Sequence, residues 1–134
     1  MRLHHIGWAV RSLRDSREHF EGLIGLQHDG TEEFPTVTVD FYDIGNCLLE
    51  ILEPTGQDDT ATFLHERGEG IHHLAFEVPD VQDALEAAAA RGMRVIDHRP
   101  RAGARNTLIG FVDPGRTDLV LIEYVQSAQS GVRG

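Results

Sequence analysis

The chain has a single cysteine, Cys47, among its 134 residues. That excludes an intramolecular disulfide and any cysteine-based zinc knuckle, and a reducing cytoplasm is the expected setting. No apolar run approaches the roughly 20 residues that a membrane-spanning helix needs. No signal peptide is expected ahead of the first polar, His-bearing stretch. Positive charge is scarce as well. Twelve basic residues face 22 acidic ones, for a net charge of -10 at pH 7 with His neutral. Nucleic acid and anionic membrane surfaces are poor partners for such a surface, although a local basic cluster still allows an anionic small molecule. The remaining composition, 40% hydrophobic and 25% charged, is that of an ordinary globular chain and excludes disordered, collagen-like and coiled-coil classes. At this length a chain forms one domain, or two small halves sharing one core, and buries about two thirds of its unfolded surface without staples.

Histidine is what the chain has in excess. There are eight, and four of them fall in two HH pairs. The pairs lie in segments that match each other: Leu3-His4-His5-Ile6-Gly7-Trp8-Ala9-Val10 and Ile71-His72-His73-Leu74-Ala75-Phe76-Glu77-Val78. Such self-similarity points to two copies of one supersecondary unit. Each copy is followed by a helical stretch. The first covers about Ser12 to Leu23, capped by Ser12 or Asp15. The second starts after Pro79-Asp80, with Asp80 as its N-cap. Gly25 and Gly92 are the expected helix stops. Strands follow over about Leu26–Asp29, Val37–Asp43 and Cys47–Glu53 in the first half, and over about Arg94–Asp97, Leu108–Val112 and Leu119–Val125 in the second. Turns are expected at Asp43-Ile44-Gly45-Asn46 and Asp113-Pro114-Gly115. Each half therefore reads βαβββ, with modules over about 1–54 and 70–126. A loop at Pro54 to Thr60 and a short helix near Ala61 to Glu66 join them. The expected organisation is one domain over 1–126 and a frayed tail over 127–134.

Alternation assigns the faces, because every second residue of a strand shares a side. His5, Gly7 and Ala9 fall together, as do His73, Ala75 and Glu77. The bulkier sets, Ile6-Trp8-Val10 and Leu74-Phe76-Val78, suit packing against the helices. His5 and His73 thus occupy equivalent places away from the helices, beside small residues that leave room for a pocket. Glu50, between Leu48 and Leu52, and Glu123, between Leu121 and Val125, are lone charges on apolar strand faces. A buried carboxylate needs compensation. Two His and two Glu contributed symmetrically make a four-ligand set suited to a divalent first-row ion with open positions for water or substrate. The competing readings are a core His at His5 and a solvent-facing edge residue at Glu50. The adjacent His4 and His72 point to the apolar face and read as supporting or structural residues.

These residues carry a family resemblance. The segments LHHIGWAVRSL at 3–13, LLEILEPTGQDD at 48–59, FLHERGEGIHHLAFEV at 63–78, RPRAGA at 99–104 and VLIEYV at 120–125 resemble the vicinal oxygen chelate superfamily of glyoxalases, ring-cleaving dioxygenases and fosfomycin-resistance proteins. Within it they are most similar to the methylmalonyl-CoA epimerase family. The resemblance implies an α+β fold in which two tandem βαβββ modules form one curved, barrel-like mixed sheet with helices outside. It implies that His5, Glu50, His73 and Glu123 bind one divalent metal ion (Co, Mn, Zn, Ni or Fe, with cobalt favoured). It implies a homodimer that interconverts the 2R and 2S epimers of an acyl-CoA thioester, methylmalonyl-CoA, through an enolate. Two bases would flank the α-carbon. Glu123 matches one. For the other, Asp40 is the nearest acidic residue, and its competing reading is an ordinary solvated strand position.

Arg99, Arg101 and Arg105 lie close together beside two flexible positions, Gly103 and Ala104, and are the candidate substrate contacts for CoA phosphates. A merely solvating loop is the alternative. The chain also departs from the family. Asp113-Pro114-Gly115-Arg116-Thr117-Asp118 is acidic where family members often carry a basic stretch, and Val37-Thr38-Val39 offers no Glu. A glyoxalase-type isomerase or lyase of another substrate, or a non-enzymatic small-molecule-binding protein of the same fold, therefore stand as alternatives.

Overall fold

A computed structural model describes residues 1–115 and 120–127. The chain divides into two compact units. One is residues 5–72, and the other is residues 73 onward together with Met1–His4. Both halves have the expected α+β character; the first runs β-α-β-β-β and the second does so with one extra two-residue strand. The expected tail beyond Ser127 and residues 116–119, which hold the Arg116-Thr117-Asp118 part of the acidic loop, lie outside the described residues. Among the described residues no helix is long and apolar enough to cross a membrane.

In the first unit, strands β1 (Arg2–Ala9), β2 (His28–Glu33), β3 (Val37–Asp43) and β4 (Leu48–Pro54) lie in the order β2-β3-β4-β1. β2–β3 and β3–β4 are antiparallel hairpins, and β4 runs parallel to β1. The β3–β4 turn is as the sequence implies. Asp43 Oδ1 accepts from the Gly45 backbone N–H at 2.9 Å, and Gly45 takes φ 101°, which suits glycine. Helix α1 (Leu13–Arg17) starts at the Ser12 cap, whose hydroxyl accepts from the Asp15 N–H at 3.2 Å. The expected single helix to Leu23 does not continue in α form. It widens into a π-helical segment over Glu18–Ile24 and stops at Gly25, with the Gly25 and Leu26 N–H groups both donating to the Phe20 carbonyl. Phe20 thereby enters the core formed by Val10, Leu13, Tyr42, Leu49 and Ile51, with Ile6, Trp8 and Leu26 against it. Its ring stands edge-on to Trp8 at 5.6 Å. Leu26 packs in this core, so β2 begins at His28 and runs four residues past the expected end. The linking helix α2 (Asp59–Arg67) is longer than expected, because Asp58 caps it through the Ala61 N–H.

The second unit repeats the plan. β5 (Gly70–Glu77) leads to α3 (Val81–Ala90), which starts at the expected Asp80 cap and ends before Gly92. β8 (Thr107–Asp113) and β9 (Leu121–Ser127) are antiparallel, and β9 is parallel to β5, giving the order β6-β8-β9-β5. The expected strand Arg94–Asp97 shrinks to β6 (Arg94–Val95). Beyond it the N–H groups of Ile96 and Asp97 both turn to the Phe111 carbonyl. A short strand absent from the sequence reading, β7 (Arg101–Ala102), pairs with β8 instead. Pro100, with no N–H to give, separates the two. Under α3, Val78, Val81, Leu85, Ala88, Val112 and Tyr124 form the core. Gly110 lies beneath this helix, where an added Cβ would sit 2.9 Å from Leu85 Cδ1 and 3.1 Å from Val81 Cγ1. Gly110→Val should overpack this layer by about 1–3 kcal/mol, read as a lowered denaturant midpoint at unchanged slope.

Candidate metal centre and active site

Each unit builds a His–Glu pair in the same way. In the first, parallel pairing places Gly7 opposite Glu50 and His5 opposite Leu48. Gly7 leaves space beside the carboxylate, and His5 Nδ1 lies 3.3 Å from Glu50 Oε2. In the second, Ala75 is opposite Glu123 and His73 opposite Leu121, and His73 Nε2 lies 3.0 Å from Glu123 Oε1. All four side chains are buried, so these are lone charges inside the protein rather than a solvated edge. An aromatic ring flanks each carboxylate across its hairpin, Phe41 opposite Glu50 and Phe111 opposite Glu123. Phe111 also stands edge-on to His73 at 5.4 Å.

In the first unit, donor atoms of His4, His5 and Glu50 lie within 4.8 Å of one another, a spacing at which side chains can share one ion. An imidazole and a carboxylate in each unit supply the nitrogen and oxygen mixture that suits a divalent first-row ion. The donor set therefore fits the expected metal. His72, on the alternate side of β5, is buried and edge-on to Phe63 of α2 at 5.1 Å, while His4 is half-buried. The structure gives His72 the packing role expected of it.

Asp40 does not join the His–Glu pair. On β3 it is opposite Ile51, whereas Phe41 is the residue opposite Glu50. Its side chain thus faces the helices. It is fully buried, so it is not the solvated strand residue of the competing reading either. Arg17 clamps it from two nitrogens, Nε to Oδ2 at 2.7 Å and Nη2 to Oδ1 at 2.9 Å. Thr31 donates to Oδ1 at 2.6 Å, and His28 Nε2 lies 3.1 Å from the same oxygen. Burial alone pushes the carboxyl pKa up, but the hydrogen bonds from Arg17, Thr31 and His28 outweigh it and hold Asp40 below the usual carboxylate value. A general base works best near the operating pH, and Asp40 is held far from that. On the other face of β3, Val39 and Phe41 are the buried side chains.

Of the arginines, Arg99 and Arg105 are exposed. Arg101 is in β7, half-exposed, and ion-paired to Asp97 at 3.0 Å. The segment expected to be flexible is a built turn. The Gly103 N–H donates to the Thr107 carbonyl, and Arg105 and Asn106 both adopt left-handed backbone at φ 55° and 59°. The sequence reading missed Phe41, Phe111 and Asp97. The first two were visible as aromatics alternating into the strands that flank the glutamates.

The profile of the glyoxalase/bleomycin resistance protein/dioxygenase superfamily matches residues 4–111. The chain is 38% identical to an uncharacterized Bacillus subtilis protein, YqjC, over 93% of its own length and 91% of that protein. It is 30% identical to an ethylmalonyl-CoA/methylmalonyl-CoA epimerase of Cereibacter sphaeroides, over 93% of this chain and 97% of that one. A Streptomyces coelicolor methylmalonyl-CoA epimerase, solved in complex with 2-nitronate-propionyl-CoA, superposes with a TM-score of 0.85 at 32% identity, covering 96% of this chain and 95% of that one. The chain belongs to the glyoxalase/bleomycin resistance protein/dioxygenase superfamily, and within it is similar in sequence and fold to methylmalonyl-CoA epimerases.

Proposed function

We propose that the protein is a metal-dependent epimerase of methylmalonyl-CoA-type thioesters, with His5, Glu50, His73 and Glu123 of one domain as the ligands of a single divalent ion. The observation that carries this reading is the repeated His–Glu pair, built in both modules at the same step of a parallel strand pair. Bound there, a divalent ion would supply Lewis acidity to the thioester and carboxylate oxygens of the substrate. Glu123 takes the proton from the carbon between those two groups. It already sits buried beside His73, 3.0 Å from the imidazole. The ligand of the Streptomyces coelicolor relative supports this chemistry, because a nitronate is a planar anion shaped like a deprotonated malonyl carbon.

Inversion needs a proton donor on the opposite face of the carbon. Beside the glutamates, β3 and β8 contribute Val39, Phe41, Ile109 and Phe111, none of which has an ionisable side chain. The second base therefore falls to Glu50, Glu123's counterpart in the other module, rather than to Asp40. Arg99 and Arg105 are proposed to meet the CoA phosphates. Cobalt is the ion to load first and a homodimer the form to assay, both on the strength of the family resemblance, and the single cysteine suits a reducing cytoplasm.

The test is α-proton exchange of single-epimer methylmalonyl-CoA in deuterated water. Wild-type protein should incorporate label with loss of configuration, and Glu50→Gln should incorporate label with configuration retained. No exchange by metal-loaded wild type sinks the substrate assignment. Exchange with retained configuration in the wild type would leave Glu123 as the base and remove Glu50 as the second one.

A further inference from the structure

The chain contains no lysine, so every fixed positive charge on this acidic protein is an arginine. One of these is built into the second module in a way that solvating arginines are not. β7 pairs Arg101 with Ile109, and paired residues share a face. Ile109 alternates with Phe111 along β8, and Phe111 is opposite Glu123. Arg101 therefore stands on the face that carries Glu123. Its guanidinium lies over the Phe111 ring, 5.4 Å from the centroid, and the same ring makes a T-shaped contact with His73.

Asp97 fixes this arrangement from both sides. Its Oδ1 accepts from Arg101 Nε at 3.0 Å, and its Oδ2 accepts from the Phe111 backbone N–H at 2.9 Å. The turn that follows is pressed onto β8. A Cβ added at Gly103 would lie 2.6 Å from Ile109 Cγ2, so the chain passes as close as glycine permits. Among the described residues, Asp97 holds Nε of Arg101 and both Nη groups remain for a ligand. A guanidinium offers those donors in the plane and at the spacing that a carboxylate accepts.

We infer that Arg101, held by Asp97 across the Phe111 ring beside His73, recognises the free carboxylate of the acyl group and so selects malonyl-type thioesters over neutral ones. The inference rests on the metal-site reading above and adds to it the residue that sets substrate class. A phosphate contact does not fit this position. The pantetheine arm separates the thioester from the CoA phosphates, whereas Arg101 is one aromatic ring away from His73. Asp97 is a positioning residue, since it reaches the ligand only through Arg101.

Binding of methylmalonyl-CoA, propionyl-CoA and free CoA to cobalt-loaded protein, measured by calorimetry, tests the inference. Arg101→Met should weaken methylmalonyl-CoA about tenfold or more, the range for hydrogen bonds to a charged group, and change propionyl-CoA and CoA by less than about twofold. Arg101→Lys should recover part of the loss. Equal weakening of all three ligands would make Arg101 a phosphate contact and overturn the inference, and so would no change in any of them. If wild-type protein binds methylmalonyl-CoA no better than propionyl-CoA, the substrate reading itself fails. That outcome is visible before any variant is compared.

Discussion

Glu123→Gln should lower kcat/KM for epimerisation by roughly 10³-fold, the usual scale for removing a general base, equivalent to about 4 kcal/mol of transition-state stabilisation. Label uptake from deuterated water should vanish with it. The glutamine keeps an oxygen donor of the same reach, so the variant should still take up one ion per chain, more weakly than wild type. Stability should move the other way. Glu123 is a buried carboxylate placed between apolar Leu121 and Val125 positions, with His73 at 3.0 Å as its neighbour. Confining that charge is costly, and a neutral amide of equal size removes the cost. With metal chelated, Glu123→Gln should therefore melt no lower than wild type. With metal restored, wild type should gain more, because an ion that binds only the folded state stabilises according to its affinity. Thermal denaturation with and without chelator shows both effects. A variant that melts well below wild type in chelator would mean that Glu123 is structural, and would remove the reason to treat it as the base.

The same residues show what could be read from the sequence. The histidines and glutamates were legible because a repeated HH step and period-two alternation place them on one face without any knowledge of pairing. Parallel pairing of β1 with β4 and of β5 with β9 then supplied what the sequence lacks, the register that sets Gly7 opposite Glu50 and Ala75 opposite Glu123. Asp40 shows where such reading stops. The bounds of β3 were legible, but Val39, Asp40, Phe41 and Tyr42 are all buried. A strand covered on both sides gives no polar-apolar contrast to orient it. One step along a strand exchanges faces, so the acidic candidate on β3 became a core residue in the fold. The Asp97–Arg101–Phe111 cluster was illegible for a different reason. It is held by two residues of β7 and by backbone bonds to β8, and neither leaves a periodic signal.

That placement of Asp40 has a large consequence for stability and none for chemistry. Asp40→Asn should destabilise the protein by about 2 kcal/mol, or on the order of 5–10 °C in Tm for a chain of this size. The amide can accept at one position only, and its NH2 group would face the guanidinium of Arg17 and the Thr31 hydroxyl. The figure lies below the 3–5 kcal/mol typical of breaking a buried ion pair. The Arg17 side chain is 42% exposed and can turn to water instead of remaining as a stranded charge. The pH dependence follows from the depressed pKa of Asp40. A carboxyl held below its unfolded value of 3.8 contributes its full stability above that pH. The contribution is lost as pH falls through the lower, folded value. The gap in unfolding free energy between wild type and Asp40→Asn should therefore be constant from pH 5 to pH 8 and begin to close below about pH 4. Metal uptake and turnover per folded molecule should match wild type throughout, because the side chain lies on the far face of β3 from Glu50. A variant with wild-type melting and turnover reduced a hundredfold would instead place Asp40 at the substrate, and would require β3 to present its other face to the site.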